Sequence, residues 1–257
     1  MMIASKLSAG HGWQWIKEGW VLFRKSPALW MALTAVGLVG MVLVASIPTM
    51  GDPLASLLFP VLMAGYMLGC LALVRGEELE IAHLLAGFQH SPARLISLGG
   101  VSLLGQYLIY GVMTATGGGK MATLLMSGQP VEDASVFTDA MNGAGLALFL
   151  GMLLSMLMLL AGQFAPMLVV FRNLSVIEAL KSSLFGCFRN IAALSVYGGS
   201  MLLLGIVASM PMMLGWVVLL PLMLTSVYAA YCDLFPGEAA RQESRVEDEL
   251  DYPPESD

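Results

Sequence analysis

Charge is what this sequence has least of. Only 12% of its 257 residues are Asp, Glu, Lys or Arg, against 58% hydrophobic, whereas soluble domains carry about a quarter charged residues. Six apolar runs, at about residues 28–47, 54–74, 95–116, 145–171, 191–210 and 212–231, contain no Asp, Glu, Lys, Arg or His. Ionisable groups inside a membrane mark proton relays and ion paths, so their absence argues against a proton-coupled transporter. It leaves open a passive pore or a carrier of apolar molecules.

Cysteine is scarce too. Cys70, Cys187 and Cys232 are far apart, with no CxxC pair, so neither a zinc site nor a disulfide framework is expected. They read as small apolar packing residues. His11, His83 and His90 share no metal-ligand spacing, and no GxSxG elbow occurs. Thr116-Gly117-Gly118-Gly119-Lys120 departs from a phosphate loop, because Met121 stands where Ser or Thr is required. Glu132, Asp133 and Asp139 read as solvated loop carboxylates rather than a cation site. No catalytic, cofactor-binding or metal residue is assigned, and the chain is expected not to be an enzyme. Leu68-Gly69-Cys70 lies too deep in the chain to be a lipoprotein signal.

The six runs are what remains to organise a fold. About 20 residues span a hydrocarbon core of about 30 Å, and inside lipid every backbone polar group must be satisfied locally. The runs are therefore expected to be transmembrane helices, with the fourth long enough to tilt, kink or protrude. Every one of the 12 basic residues except Lys120 falls on the side holding the N-terminus. The positive-inside bias then places both termini in the cytoplasm of a multi-pass inner-membrane protein.

Three segments on that side carry helical apolar spacing. At 12–26, Trp13, Ile16, Trp20 and Phe23 lie beside Lys17, Arg24 and Lys25, as in an interfacial helix with Trp anchors. At 77–90, Leu79, Ala82, Leu85, Ala86 and Phe88 form a stripe. At 176–188, Ile177, Leu180, Leu184 and Phe188 oppose Glu178, Lys181 and Ser182. Phe23-Arg24-Lys25-Ser26-Pro27-Ala28 is matched by Phe88-Gln89-His90-Ser91-Pro92-Ala93, and more loosely by Phe185-Gly186-Cys187-Phe188-Arg189-Asn190. Pro27 and Pro92 suit the first turn of the helices they open.

The returning spans carry Pro60, Pro166 and Pro221 as candidate kinks. The expected fold class is all-α integral membrane: six transmembrane helices in three parallel repeats, each a surface helix plus a helical hairpin, forming a pseudo-threefold bundle. That domain would occupy residues 1–237, with a non-cytoplasmic loop at 117–143. Gly65 and Gly69 form a GxxxG suited to close packing, and Gln106 and Gln163 are the most polar side chains within spans three and four, suited to bonds between helices.

Residues 238–257 hold eight carboxylates against Arg241 and Arg245, which accounts for the whole formal charge of −6. Such a tail is expected to be disordered alone. It either keeps the protein soluble or docks a protein partner. The remaining partner is the lipid bilayer. Nucleic-acid binding finds no support, and the oligomeric state is not readable.

With Trp20-x-x-Phe23, the Ser-Pro-Ala entries, Pro60-x-x-x-Ala64-Gly65-Tyr66, Ala165-Pro166 and Tyr228-x-x-Tyr231-x-Asp233, the chain resembles a family of uncharacterised six-span inner-membrane proteins of proteobacteria. More distantly it is similar to the YciC-like proteins and to the membrane domain attached to some glycerophosphodiester phosphodiesterases. The resemblance implies fold and location, and it brings no activity. The functional expectation is a non-enzymatic scaffold or envelope-maintenance factor; the alternative is a channel or transporter for a small or lipid-like solute.

Overall fold

A computed structural model describes residues 4–127 and 134–237. Its helices, in chain order, are α1 (His11–Lys25), α2 (Pro27–Ala45), α3 (Gly51–Val74), α4 (His83–Ala86), α5 (Pro92–Met113), α6 (Gly119–Ser127), α7 (Ala134–Met141), α8 (Gly145–Gln163), α9 (Ala165–Arg172), α10 (Val176–Arg189), α11 (Ile191–Ser209) and α12 (Trp216–Leu234). No strand occurs among the described residues. Six stretches are long and apolar enough to cross a membrane: α2, α3, Pro92–Ser127, Gly145–Arg172, α11 and α12. The 19 residues of α2 or α11 reach about 28 Å at 1.5 Å per residue, which matches the hydrocarbon thickness. The protein is an all-helical integral membrane protein.

Burial separates the spans into inner and outer sets. More than half of the apolar window is buried in α3 and α12 (56% and 61%), against 17% in each of the other four. The inner set is α3, α12 and the short α9, whose residues 165–169 are all buried. Aromatic contacts join α9 to α12: Phe171 meets Tyr228 edge-on and Tyr231 at a tilt, with ring centroids 6.2 and 5.5 Å apart. The outer spans turn Val39, Leu43, Leu104, Leu108, Phe149, Met152, Leu202 and Leu203 outward, as lipid-facing helices require.

Even-numbered crossings bring both ends of the described chain to one face, here called the terminal face. Ser5 N–H donates to Leu234 O at 2.9 Å there. Three connectors on this face pack in cyclic order. α4 and its flanks seat on α3, the span before them; α10 seats on α8 and α9; α1, which opens the chain, seats on α12, which closes it. Small residues permit the close approach. A Cβ at Gly19 would lie 2.6 Å from Ser226 N, one at Gly65 2.5 Å from His83 O, and one at Gly87 2.1 Å from Val61 O.

Several expectations are corrected. Residues 77–90 form turns around one short helix, His83–Ala86, rather than a surface helix, and the segment folds back along α3 with Leu79 and Leu84 buried. Ser182, placed on the polar face of α10, is fully buried with Ser183, while Ile177, Phe185 and Phe188 point outward. The loop at 117–143 is helical at α6 and α7, which form a small satellite core of Met113, Met121, Ala122, Ala140, Ala144 and Ala147. The last span begins at Trp216, not Met212. Met212 and Met213 have φ of 50° and 65° and lie in the turn before it.

Candidate functional site

The terminal face is where most polar side chains converge. α1 presents one outward row, Trp13, Lys17, Trp20 and Arg24, with all four exposed. Their spacing of four, three and four residues keeps them on one face. The opposite face carries Trp15, fully buried, whose Nε1–H donates to Asp233 Oδ2 at 2.7 Å. His11 Nδ1 meets the same oxygen at 2.7 Å. Lys25 leaves the row and donates to Leu73 O at 2.8 Å, tying α1 to the end of α3. Asn190, between α10 and α11, is 1% exposed. It accepts from Leu7 N–H at 2.7 Å and donates to Ser5 O and Gly186 O at 2.7 and 3.1 Å. Arg172 Nη2–H donates to Phe235 O at 2.7 Å. Sequence reasoning missed the Trp15–Asp233 and Asn190 bonds. Gly12 and Gly19, one seven-residue step apart around Trp15, were the available signal.

α10 opens with a capping box. The Ser175 hydroxyl receives Glu178 N–H, while Glu178 accepts from the Ser175 hydroxyl and N–H. These bonds hold the Glu178 carboxyl below its usual value. Further along, burial pushes the Cys187 thiol up to about 12.

The span prolines behave differently from one another. Pro27 and Pro92 sit in the first turns of α2 and α5. Pro60 and Pro221 lie inside unbroken helices. Pro166 follows a break at Phe164 that divides α8 from α9. There Ser183 fills the gap: it accepts from Phe164 N–H at 3.1 Å and donates to Leu160 O at 2.7 Å. A side chain inserted into the i→i−4 ladder is an established cause of such a break.

Among the described residues neither Gln106 nor Gln163 hydrogen-bonds another helix; each lines a cleft. Gln106 faces a space of about 570 Å³ with Asp52, Tyr110 and Ser155. Gln163 lines a groove of about 810 Å³ between α8 and the α11–α12 pair, with Leu160, Leu194, Gly198, Met201, Leu202 and Gly205 among its walls. Gly65 and Gly69 do not bring two spans together. They receive the connector at His83, Leu84 and Leu79.

The remaining candidates scatter. Lys120 donates to Asp139 Oδ2 at 2.5 Å, so the glycine stretch ends in an ion pair. Glu132 and Asp133 lie outside the described residues, as does the acidic tail at 238–257. No group of three metal-binding side chains occurs among the described residues.

Fold and geometry thus define a six-span helical membrane protein with a clamped terminal face and a membrane-level groove. Comparison with known proteins agrees at that level. The chain is 29% identical over 199 residues to a protein of Burkholderia thailandensis named a "Probable inner membrane protein", covering 75% of this chain and 73% of that one. No family model matches the chain, and no solved structure matches it.

Proposed function

We propose that this chain is a non-enzymatic scaffold or envelope-maintenance factor of the bacterial inner membrane, with both termini in the cytoplasm. The relative's printed description supports the location, and the basic residues on the terminal face support the orientation. The observation that carries the functional reading is the cyclic clamp. Three connectors each pack on the preceding returning span, and each turns large apolar side chains outward: Trp13 and Trp20; Ile81, Leu85 and Phe88; Ile177, Phe185 and Phe188. Parallel repeats about an axis near the membrane normal account for that order. A rigid ring with an apolar rim at headgroup level suits a protein that works by contact. The acidic tail is the proposed docking segment for a protein partner.

A second reading, handling of a lipid-like solute, is favoured by the groove at Gln163. A deletion strain separates the two. Under the scaffold reading, its envelope defect is restored by the full chain and not by one carrying Ile177→Ser, Phe185→Ser and Phe188→Ser, although that variant inserts normally. Saturable flux of a defined solute in proteoliposomes would instead establish the second reading.

A further inference from the structure

We propose that the groove between α8 and the α11–α12 pair holds one acyl chain of an anionic phospholipid from the leaflet on the terminal face, with the lipid phosphate at Arg189. The inference goes beyond the scaffold reading and does not depend on it.

The groove runs beside α11 from Ile191 to Ser209. Those 19 residues cover about 28 Å, so the groove follows the thickness of the hydrocarbon layer. Its volume, about 810 Å³, is within the range of small-molecule sites, about 300–1,000 Å³. The polar groups along its wall are mostly satisfied within the protein. Tyr197 OH pairs with Ser226 Oγ at 2.9 Å. Trp216 Nε1–H donates to Ser209 Oγ at 2.9 Å, and Ser209 Oγ–H donates to Gly205 O at 2.8 Å. Apart from the Ser195 hydroxyl and Gln163, what the wall offers along its length is therefore apolar surface. A hydrocarbon chain fits that wall. Water does not, because a buried water requires two or more polar partners.

Polarity and charge select the end at which the head group sits. Gln163 lines the groove at the terminal end of α8, one helix length of about 28 Å from Gly145. That is the level of the glycerol and ester groups, and the Gln163 amide has no partner among the described residues. Arg189 is exposed, two residues before Ile191, where the α11 wall begins. Between Ala179 and Cys232 the sequence contains no Asp or Glu, and its charges are Lys181 and Arg189. Asp233, the next acid, already accepts from His11 and Trp15. The far end, at Ser209 and Trp216, adjoins a turn without any charged residue. An anion is thus matched at one end only.

Glycines provide the test. A Cβ at Gly198 meets nothing within 4 Å, so the side chain of Gly198→Leu starts into open space and its branched end occupies the groove. Gly199 is equally open but does not line the groove, so Gly199→Leu is its control on the same helix. The full-length protein is reconstituted in phosphatidylcholine vesicles containing a phosphatidylglycerol with a photoactivatable group midway along one chain. Labelled peptides are then mapped. The proposal expects labelling of α8 and α11 groove residues that saturates near one lipid per protein and is competed by unlabelled phosphatidylglycerol. Gly198→Leu should reduce it at least fivefold and Gly199→Leu should leave it unchanged, with both variants monodisperse and equally heat-stable. Arg189→Gln should lower the preference for phosphatidylglycerol over phosphatidylcholine about fivefold, the effect of one basic residue near an anionic head group. Non-saturating labelling spread over all outward faces, or equal labelling of the two leucine variants, would overturn the site. Equal competition by phosphatidylcholine, with Arg189→Gln silent, would overturn the assignment of the phosphate.

Discussion

Ser183 donates its hydroxyl proton to the carbonyl of Leu160 at 2.7 Å, a bond that crosses from α10 into the backbone of a membrane span. The Ser183 hydroxyl oxygen accepts from Phe164 N–H, and Cys187 Sγ also approaches Leu160 O, at 3.5 Å. Both Ser183 and Cys187 are fully buried. In place of the helix's own Phe164-to-Leu160 bond, the chain uses a neighbour's side chain.

Ser183→Ala should therefore leave a buried N–H and most of a carbonyl unpaired, a loss of about 1–3 kcal/mol. Thermal unfolding in detergent measures it. Ser195→Ala, at an exposed position, should change stability by less than about 0.5 kcal/mol. Equal effects from the two would show that the inserted hydroxyl contributes nothing.

Cys187 gives a local readout of the same joint. Its thiol, raised to about 12 by burial, stays protonated at pH 8, and the thiolate is the reactive form. In a background without Cys70 and Cys232, maleimide at pH 8 should leave folded protein unmodified. Ser183→Ala should speed modification by loosening the joint. Rapid labelling of the parent protein would contradict the burial.

Asp233 receives both Trp15 and His11, yet the two bonds should not weigh equally. Trp15 is fully buried, so Asp233→Ala strands its indole N–H at about 1–3 kcal/mol. His11→Ala removes a half-exposed partner and should cost less than about 1 kcal/mol. The double variant should unfold like Asp233→Ala alone. An additive double variant, or a costlier His11→Ala, would reverse the assigned weights.

The sequence announces the spans because charge is absent from them, and lipid imposes one solution on such runs. The turn at residues 210–215 is different. Met210, Met212, Met213 and Leu214 are as apolar as the helices they join, so Pro211 marks a turn but composition does not mark the start of the next helix at Trp216. The left-handed φ of Met212 and Met213 is backbone information that residue type does not predict. The connector at 77–90 has helical spacing, but Gly65 and Gly87 admit backbone against backbone and Gly69 admits the Leu79 side chain, and tertiary packing overrides its propensity. Ser183 was hidden for a related reason. Serine beside lysine reads as a wet face, whereas here small size lets α10 reach α8. Gln163 was visible as the polar residue of its span; the groove beside it depends on how α8 and α11 diverge, which no local pattern encodes.

The outward row of α1 should be separable from its clamp. Lys17 and Arg24 are exposed along the row, while Lys25 donates to Leu73 O. In the whole protein, Lys17→Gln with Arg24→Gln should leave the unfolding temperature unchanged, and Lys25→Gln should lower it. In a peptide of residues 8–26, each of the three changes should weaken binding to anionic vesicles by about 1 kcal/mol per charge. Vesicle binding indifferent to all three would remove the electrostatic part of the interface.

Orientation is the remaining test, and it rests on asymmetry of charge. Among the described residues Lys120 is the one basic residue on the far face, and it is paired with Asp139. The terminal face holds Lys17, Arg24, Arg75, Arg94, Arg172, Lys181 and Arg189, and the bias in bacterial membranes retains such residues in the cytoplasm. Ser127, exposed at the end of α6, should then face outward from the cell, and Ser244, in the acidic tail, should face the cytoplasm. In a background without the native cysteines, Ser127→Cys should react with an impermeant thiol reagent in intact spheroplasts, and Ser244→Cys only after lysis. The opposite pattern would invert the protein in the membrane. It would also move the proposed phospholipid to the outer leaflet, where the Arg189 contact can still be measured and the cytoplasmic scaffold reading cannot stand.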